Sequence, residues 1–399
     1  MKLDCEFCGL KLENPFVLAS APPTASIEMI DRAFEAGWAG VVTKTLKPDS
    51  LIVEDASPRF HGIREGKRVV AFENFELGSK KPLSYGKEGL TYLKQKWPTR
   101  LIIVSIMGEP TQESWQELAR FAQEAGAHAI ELNFSCPHGM PEVGGGADIG
   151  QKPETTRTIT SWVRSATTLP VMVKLTPNVT SITVIAQAAL EGGADSLAAI
   201  NTVESLMGVD LETLTPNPGV YGRSTYGGYS GAGTKPIGLR VISQLAKYTP
   251  APLSGMGGIR DWKDALEYIA LGSNHVQVCT EVMLSGYRIV GPMIQGMKDW
   301  MISHGYTNLD QIRGVAARKI GSHQELDKSG PVFPTINHKA CIKCGFCIRA
   351  CSDGAYQAMK MVEKQVVVNQ EKCDGCGLCV IVCPELCIHQ KNTQKKENP

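Results

Sequence analysis

Nine of the thirteen cysteines in this 399-residue chain fall between Cys341 and Cys387. "CIKCGFCIRAC" supplies Cys341, Cys344, Cys347 and Cys351, and "CDGCGLCVIVCP" supplies Cys373, Cys376, Cys379 and Cys383. The second run has the C-x2-C-x2-C-x3-C-P spacing of bacterial ferredoxins, whereas the first has Ser352 in place of the proline. A four-iron cube needs four thiolates. A C-x2-C-x2-C run wraps three of them around one face, and the other motif lends the fourth. One [4Fe-4S] cluster is therefore assigned to Cys341, Cys344, Cys347 and Cys383, and a second to Cys373, Cys376, Cys379 and Cys351. Structural zinc favours two separated pairs over two quadruplets, so the pattern reads as iron–sulfur. Cys387 is left over and reads as a small buried residue. Cys5 and Cys8 form an isolated C-x2-C, a weak metal signal, and Cys279 lies within an apolar run.

A different chemistry is suggested by "NFSCPHGM", residues 133–140, where Asn133 closes an apolar run and Cys136 precedes a proline. Such a cysteine is either a packing residue at a turn or a reagent on a loop. Six of the seven other apolar runs end comparably, at Ser20, Lys44, Lys174, Asn201, Gly257 with Gly258, and Thr280. Two lysines and two asparagines on one rim suit a polar ligand, and lysine suits a phosphate or an anionic ring position. A Gly-Gly pair after a seventh strand is where barrels commonly hold phosphate on backbone N–H groups.

The elements that must position these groups are eight short runs, at 15–20, 40–45, 101–106, 127–133, 170–176, 195–201, 252–258 and 274–280. They are continuous rather than alternating, as parallel strands buried on both faces are. Amphipathic stretches such as "ESWQELARFAQEAG" lie between most of them. "EAGWAGVV", "EAGAHAIE" and "EGGADSLA" each place glycine at a helix end, where it supplies a left-handed cap. The expected fold class is α/β: a (β/α)8 TIM barrel over 1–302, a partly helical linker over 303–335, a ferredoxin-like α+β domain over 336–390, and a polar tail over 391–399. No G-x-G-x-x-G follows the first strand, which argues against an open dinucleotide-binding sheet.

A net charge of +1 gives no basic excess for nucleic acid or anionic membrane. There is no signal-peptide pattern and no apolar run near the ~20 residues of a membrane span. A cytoplasmic protein with reduced thiols is expected. Clusters pass single electrons, whereas organic reductions need pairs. A flavin mediates between the two, and FMN carries the phosphate that the rim could hold.

"ELNFSCPHGM", "KLTPNVT", "INTVESLMG" and "STYGGYSGAGTKPIGLR" resemble the pyrimidine-reducing half of the dihydropyrimidine dehydrogenases. "NPFVLASAPPT", "VVTKT" and "FENFEL" extend the likeness into the first barrel turns. The barrel is also similar, less closely, to dihydroorotate dehydrogenases. The resemblance implies that Lys174 contacts the flavin ring and Lys44 the ring and ribityl region. Ala19, Ser20, Thr45, Gly257, Gly258, Cys279 and Thr280 would complete the FMN cradle. Asn74, Glu76, Asn133, Asn201 and Thr202 would read the pyrimidine, with Ser135 orienting substrate or thiol. Amides suit that task because each offers a donor and an acceptor to a ring edge of alternating C=O and N–H.

The resemblance further implies an NAD-dependent enzyme that reduces the C5–C6 bond of uracil or thymine, the first step of reductive pyrimidine catabolism. Hydride would go to C6, and Cys136, on a Gly-rich lid over 134–152, would protonate C5. Two departures are noted. The mammalian form carries FAD and NADPH domains ahead of the barrel; here a partner flavoprotein holding FAD and NAD is expected, in a hetero-oligomer. Ile149 stands where the family form has a second cysteine before "GQ". The rival expectations are a dihydroorotate dehydrogenase-like enzyme, a non-catalytic electron-transfer subunit, and a reductase of a related cyclic ureide.

Overall fold

The computed structural model describes residues 2–134 and 147–390. The chain divides into two compact units, Met1–Ile320 and Gly321–Pro399.

In the first unit eight parallel strands close into a barrel: β1 (Phe16–Leu18), β2 (Gly40–Val42), β3 (Leu101–Ile106), β4 (Ala129–Asn133), β5 (Val171–Leu175), β6 (Ser196–Ala199), β7 (Leu253–Met256) and β8 (His275–Val278). They neighbour one another in chain order, and β8 returns to β1 through Val276–Phe16 and Val278–Leu18 pairings. All six residues of β3 and all five of β5 are buried, which explains their unbroken apolar character. All eight expected runs contain a barrel strand.

Helices wrap the barrel because their start and stop signals agree with their apolar faces. Ser26 caps Ile27–Ala36 by accepting from Met29 N–H at 3.3 Å, and Asp261 caps Trp262–Ala270 by accepting from Lys263 N–H at 2.8 Å. The three repeated glycine signals hold: Gly37, Gly126 and Gly193 have φ of 109°, 89° and 94°. An L-residue there would be strained by about 1–2 kcal/mol. Under the end of β4, Trp115 meets Phe134 edge-on at 5.6 Å, and both are fully buried. Truncating such a tryptophan costs about 3–5 kcal/mol.

The hairpin of strands Cys5–Phe7 and Leu10–Leu12 lies against β8: Phe7 packs edge-on to His275 at 4.4 Å, and Asn274 Nδ2 donates to Glu6 O at 3.2 Å. Burial pushes the Cys5 thiol up to about 12, and Cys8 Sγ lies 3.9 Å from Asp195 O. These thiols pack. Among the described residues, no three His, Cys, Asp or Glu side chains converge as on a single metal ion.

One element escapes the sequence reading. Strands Val203–Ser205, Gly227–Ser230, Arg68–Asn74 and Phe60–Glu65 form a four-stranded sheet from the segments after β2 and β6. Its strands are short or half-exposed, and the apolar run among them, Val69–Phe72, covers only four residues. Gly227 and Gly228 permit close packing, since a Cβ would lie 2.5 Å from Glu73 Cγ and 2.4 Å from Thr202 Oγ1.

The barrel unit also extends past residue 303. Leu309 and Ile312 are buried in its core, and Gly314 N–H donates to Ile269 O at 3.1 Å. The start of the expected joining stretch therefore packs with the barrel, and the first eighteen residues after 302 fall within its unit.

In the second unit, helices Phe346–Gly354 and Leu378–Ile381 carry the later cysteines of the two runs, Cys347 and Cys351 on the first and Cys379 on the second. They accompany a hairpin, Met359–Val362 with Gln365–Val368, and a strand pair, Thr335–Ile336 with Ile388–His389. Among the described residues no helix is long and apolar enough to cross a membrane.

Candidate functional site

The strand ends of the barrel surround one cleft. Ala19 and Ser20 follow β1, Lys44 and Thr45 follow β2, and Asn133 ends β4. Lys174 comes from β5, while Asn201 and Thr202 follow β6. Gly257 and Gly258 follow β7, Cys279 and Thr280 follow β8, and the accessory sheet adds Asn74 and Glu76. These fourteen residues, spread along the sequence, line a single cavity. Ser135 and Cys136 lie outside the described residues. Gly150 N–H donates to Phe134 O at 3.1 Å. Ile149 is fully buried there.

A hydrogen-bond node orients the amides. Asn133 Nδ2 donates to Thr45 Oγ1 at 2.9 Å, and that hydroxyl lies 3.1 Å from Ser20 Oγ and 3.0 Å from Ser105 Oγ. Asn201 Nδ2 donates to Asn133 Oδ1 at 3.4 Å, and Thr202 N–H donates to Asn201 Oδ1 at 2.8 Å. An amide whose neighbours are fixed presents one edge, not both. Asn74 is used within the sheet: its Nδ2 donates to Gly228 O at 3.1 Å and its Oδ1 accepts from Glu76 N–H at 3.2 Å.

Charges enter in pairs. Glu76 is held between Lys44 and Arg59, and Arg59 also stands 3.9 Å from Asp55. The Arg59 guanidinium is raised above its ordinary value first by its hydrogen bond to Glu76. Deeper in the barrel, Lys174 Nζ lies 3.7 Å from Glu131 Oε1, with the side chains 5% and 0% exposed. Neither Glu131 oxygen has a hydrogen-bond donor among the described residues, so the lysine is its evident compensation. Burial pushes the Cys279 thiol up to about 11, so this cysteine stays protonated near neutrality.

Three site residues were missed by the sequence reading. Glu131 sits two positions before Asn133, hence on the same face of β4; that spacing was a usable signal. Arg59 precedes the unrecognised hairpin. Gln277 is 1% exposed and lines the cleft; its Nε2 donates to Ser254 Oγ at 2.9 Å, while its Oε1 has no donor among the described residues.

The glycine corner fits a phosphate-bearing ligand. Gly257, Gly258 and Gly231 have φ of 120°, 70° and 84°. A Cβ on Gly258 would lie 2.8 Å from Lys235 N and 2.9 Å from Gly231 O, so the turns meet with bare backbone. Thr280 Oγ1 donates to Ser230 Oγ at 3.1 Å beside them. Bare N–H groups in such turns accept anions readily.

In the C-terminal unit two separate apolar cavities are lined by cysteines. Cys341, Cys344, Cys347 and Cys383 surround one, together with Cys387. Cys351, Cys373, Cys376 and Cys379 surround the other. Ala358 N–H donates to Cys351 Sγ at 3.2 Å, a contact that suits a ligand thiolate.

Residues 2–301 match the dihydroorotate dehydrogenase family, and residues 334–390 match the 4Fe-4S dicluster domain. The chain is 42% identical to the NAD-dependent dihydropyrimidine dehydrogenase subunit PreA of Escherichia coli (strain K12), over 91% of this chain and 88% of that protein. Identity to the chloroplastic dihydropyrimidine dehydrogenase (NADP(+)) of Arabidopsis thaliana is 40%, over 80% of this chain and 78% of the relative. The catalytic subunit of dihydroorotate dehydrogenase B (NAD(+)) from Pyrococcus abyssi is 32% identical, over 79% of this chain and 99% of its own. This chain belongs to the dihydroorotate dehydrogenase family and carries a 4Fe-4S dicluster domain C-terminal to its barrel in the sequence.

Proposed function

We propose that this chain is the catalytic subunit of an NAD-dependent dihydropyrimidine dehydrogenase. It reduces the C5–C6 bond of uracil or thymine, reversibly, with electrons that a partner flavoprotein holding FAD takes from NADH. They pass through two [4Fe-4S] clusters, one on Cys341, Cys344, Cys347 and Cys383 and one on Cys373, Cys376, Cys379 and Cys351. The observation that carries the reading is the union of one polar barrel cleft with two four-cysteine cavities in the same chain. The names of the dihydropyrimidine dehydrogenase relatives support it.

FMN, when bound, accepts single electrons and supplies hydride to the pyrimidine ring. The residues present fit it: the turns at Gly257, Gly258 and Gly231, with Thr280, hold the phosphate, and Lys174 and Lys44 hold the ring, with Ala19, Ser20, Thr45 and Cys279 closing the cradle. Gln277 Oε1 is an acceptor still to be filled.

Asn133 and Asn201, locked in series through Thr45, present fixed amide edges to the substrate, and Thr202, Asn74 and Glu76 border it. Cys136 protonates C5, with Ser135 beside it. An ordinary thiol has a pKa of about 8.5, so it is protonated at neutral pH and serves as acid in reduction and, as thiolate, as base in reverse.

A dihydroorotate-type substrate is the second reading. Its carboxylate would meet Glu76, whose neighbouring cations Lys44 and Arg59 are already paired to it. That favours a neutral pyrimidine. Anaerobic assay with an artificial electron donor separates the two: uracil and thymine should be consumed, whereas turnover of orotate or dihydroorotate alone refutes the proposal.

A further inference from the structure

Cys387 has no place in either four-cysteine motif, yet the chain folds it against one of them. The short helix Leu378–Ile381 leads into Cys383, and Leu386 N–H then donates to Cys383 O at 3.2 Å to close a turn. Leu386 takes φ of +49° in that turn. Beyond it the chain enters the strand pair: Asn337 N–H donates to Cys387 O at 2.8 Å, and Ile388 pairs with Ile336. Turn and strand pair thus fix both backbones, and the two sulfurs stand 3.4 Å apart. Both residues are buried and line the cavity that Cys341, Cys344 and Cys347 complete. The rest of that lining includes Ile336, Ile342, Val366 and Ile388, and the side-chain partners of the Cys387 thiol are Cys383 first and Cys341 second, both lining the same cavity.

We propose that Cys387 is a fifth sulfur donor to the cluster of this cavity. In the resting protein its S–H donates to the Cys383 thiolate; when Cys383 is lost, Cys387 replaces it on iron. The exchange is redox-neutral. Cys387 gives its proton to solvent as its Fe–S bond forms, and the position formerly held by the Cys383 sulfur is filled. A hydrogen bond to a ligand sulfur draws electron density from the cluster and favours its reduced state. The inference rests on the assignment of this cavity to an iron–sulfur cluster.

The test uses the full chain, purified anaerobically, with iron and sulfide analysis and spectroscopic redox titration. Wild type should hold about eight irons per chain; a chain without iron and sulfide refutes the cluster assignment itself, not the role of Cys387. Cys387→Ala should keep both clusters while the midpoint potential of one falls. Cys383→Ala should retain near-wild-type iron, and the double variant Cys383→Ala/Cys387→Ala should drop to about half. Cys351→Ala, whose cavity holds no fifth cysteine, should lose about half on its own. The inference is overturned if Cys383→Ala loses as much iron as the double variant, or if Cys387→Ala leaves both potentials unmoved.

Discussion

The nine cysteines that line the two small cavities all lie between Cys341 and Cys387, whereas the barrel cleft draws its residues from Ala19 to Leu284. In the cysteine unit, spacing along the chain nearly dictates geometry, because a C-x2-C-x2-C loop has few ways to wrap a cube. In the barrel, no local spacing fixes the site. Closure of eight strands brings the residues together, and a second set of buried groups then orients them: Ser105 beneath Thr45, Glu131 beneath Lys174, Arg59 beside Glu76. The first region is specified by motif and the second by topology. Damage should therefore stay local in the one and spread through partners in the other.

Removing the proposed acid gives the largest expected effect. Cys136→Ala should lower pyrimidine turnover by about 10²–10⁴-fold, the usual worth of a general acid, while flavin and iron contents stay at wild-type levels. Normal turnover would move the proton donor elsewhere on the rim. Next come paired losses that test independence. Cys376→Ala should remove about half the iron and leave FMN content unchanged. Lys174→Met should do the reverse, weakening FMN retention by about 1.5–3 kcal/mol, the worth of a hydrogen bond to a charged group. Co-loss of FMN and iron in either variant would break the division between the two regions.

Gly258→Ala should act more mildly. Left-handed strain of about 1–2 kcal/mol adds to a Cβ placed 2.8 Å from Lys235 N, so FMN should dissociate faster at equal iron content. The smallest effect is a pH dependence. Burial lowers His275 from its ordinary 6.5 to about 3, so folding keeps it neutral. Its contribution is complete above about pH 6.5 and is lost as pH falls from there towards 3. Thermal unfolding of His275→Gln, which can still pair with Ser254, should therefore decline less steeply on acidification than wild type does.

The legibility of the two regions differs for the same physical reason. All eight barrel strands were readable because each is buried on both faces and so carries an unbroken apolar run. The hairpin at 60–74 was not, because its first strand is mostly exposed and its second holds only the four-residue apolar run Val69–Phe72; with it went Arg59, the second cation on Glu76. Glu131 and Gln277 lie inside strands that read as apolar, where only the period-two position marks them as inward. The joining stretch was hidden by its polarity, since Leu309 and Ile312 dock singly rather than as a run. By contrast, the grouping of the cysteines into two cavities follows the pairing that the two motifs imply.

The most direct measurement is anaerobic turnover of uracil by the purified chain with a reduced artificial one-electron donor. The expected result is dihydrouracil formed with two donor equivalents oxidised per ring. Restoration of NADH dependence by the flavoprotein partner should follow. A chain that holds flavin and iron, yet leaves uracil and thymine untouched while interconverting orotate and dihydroorotate, would contradict the proposed function.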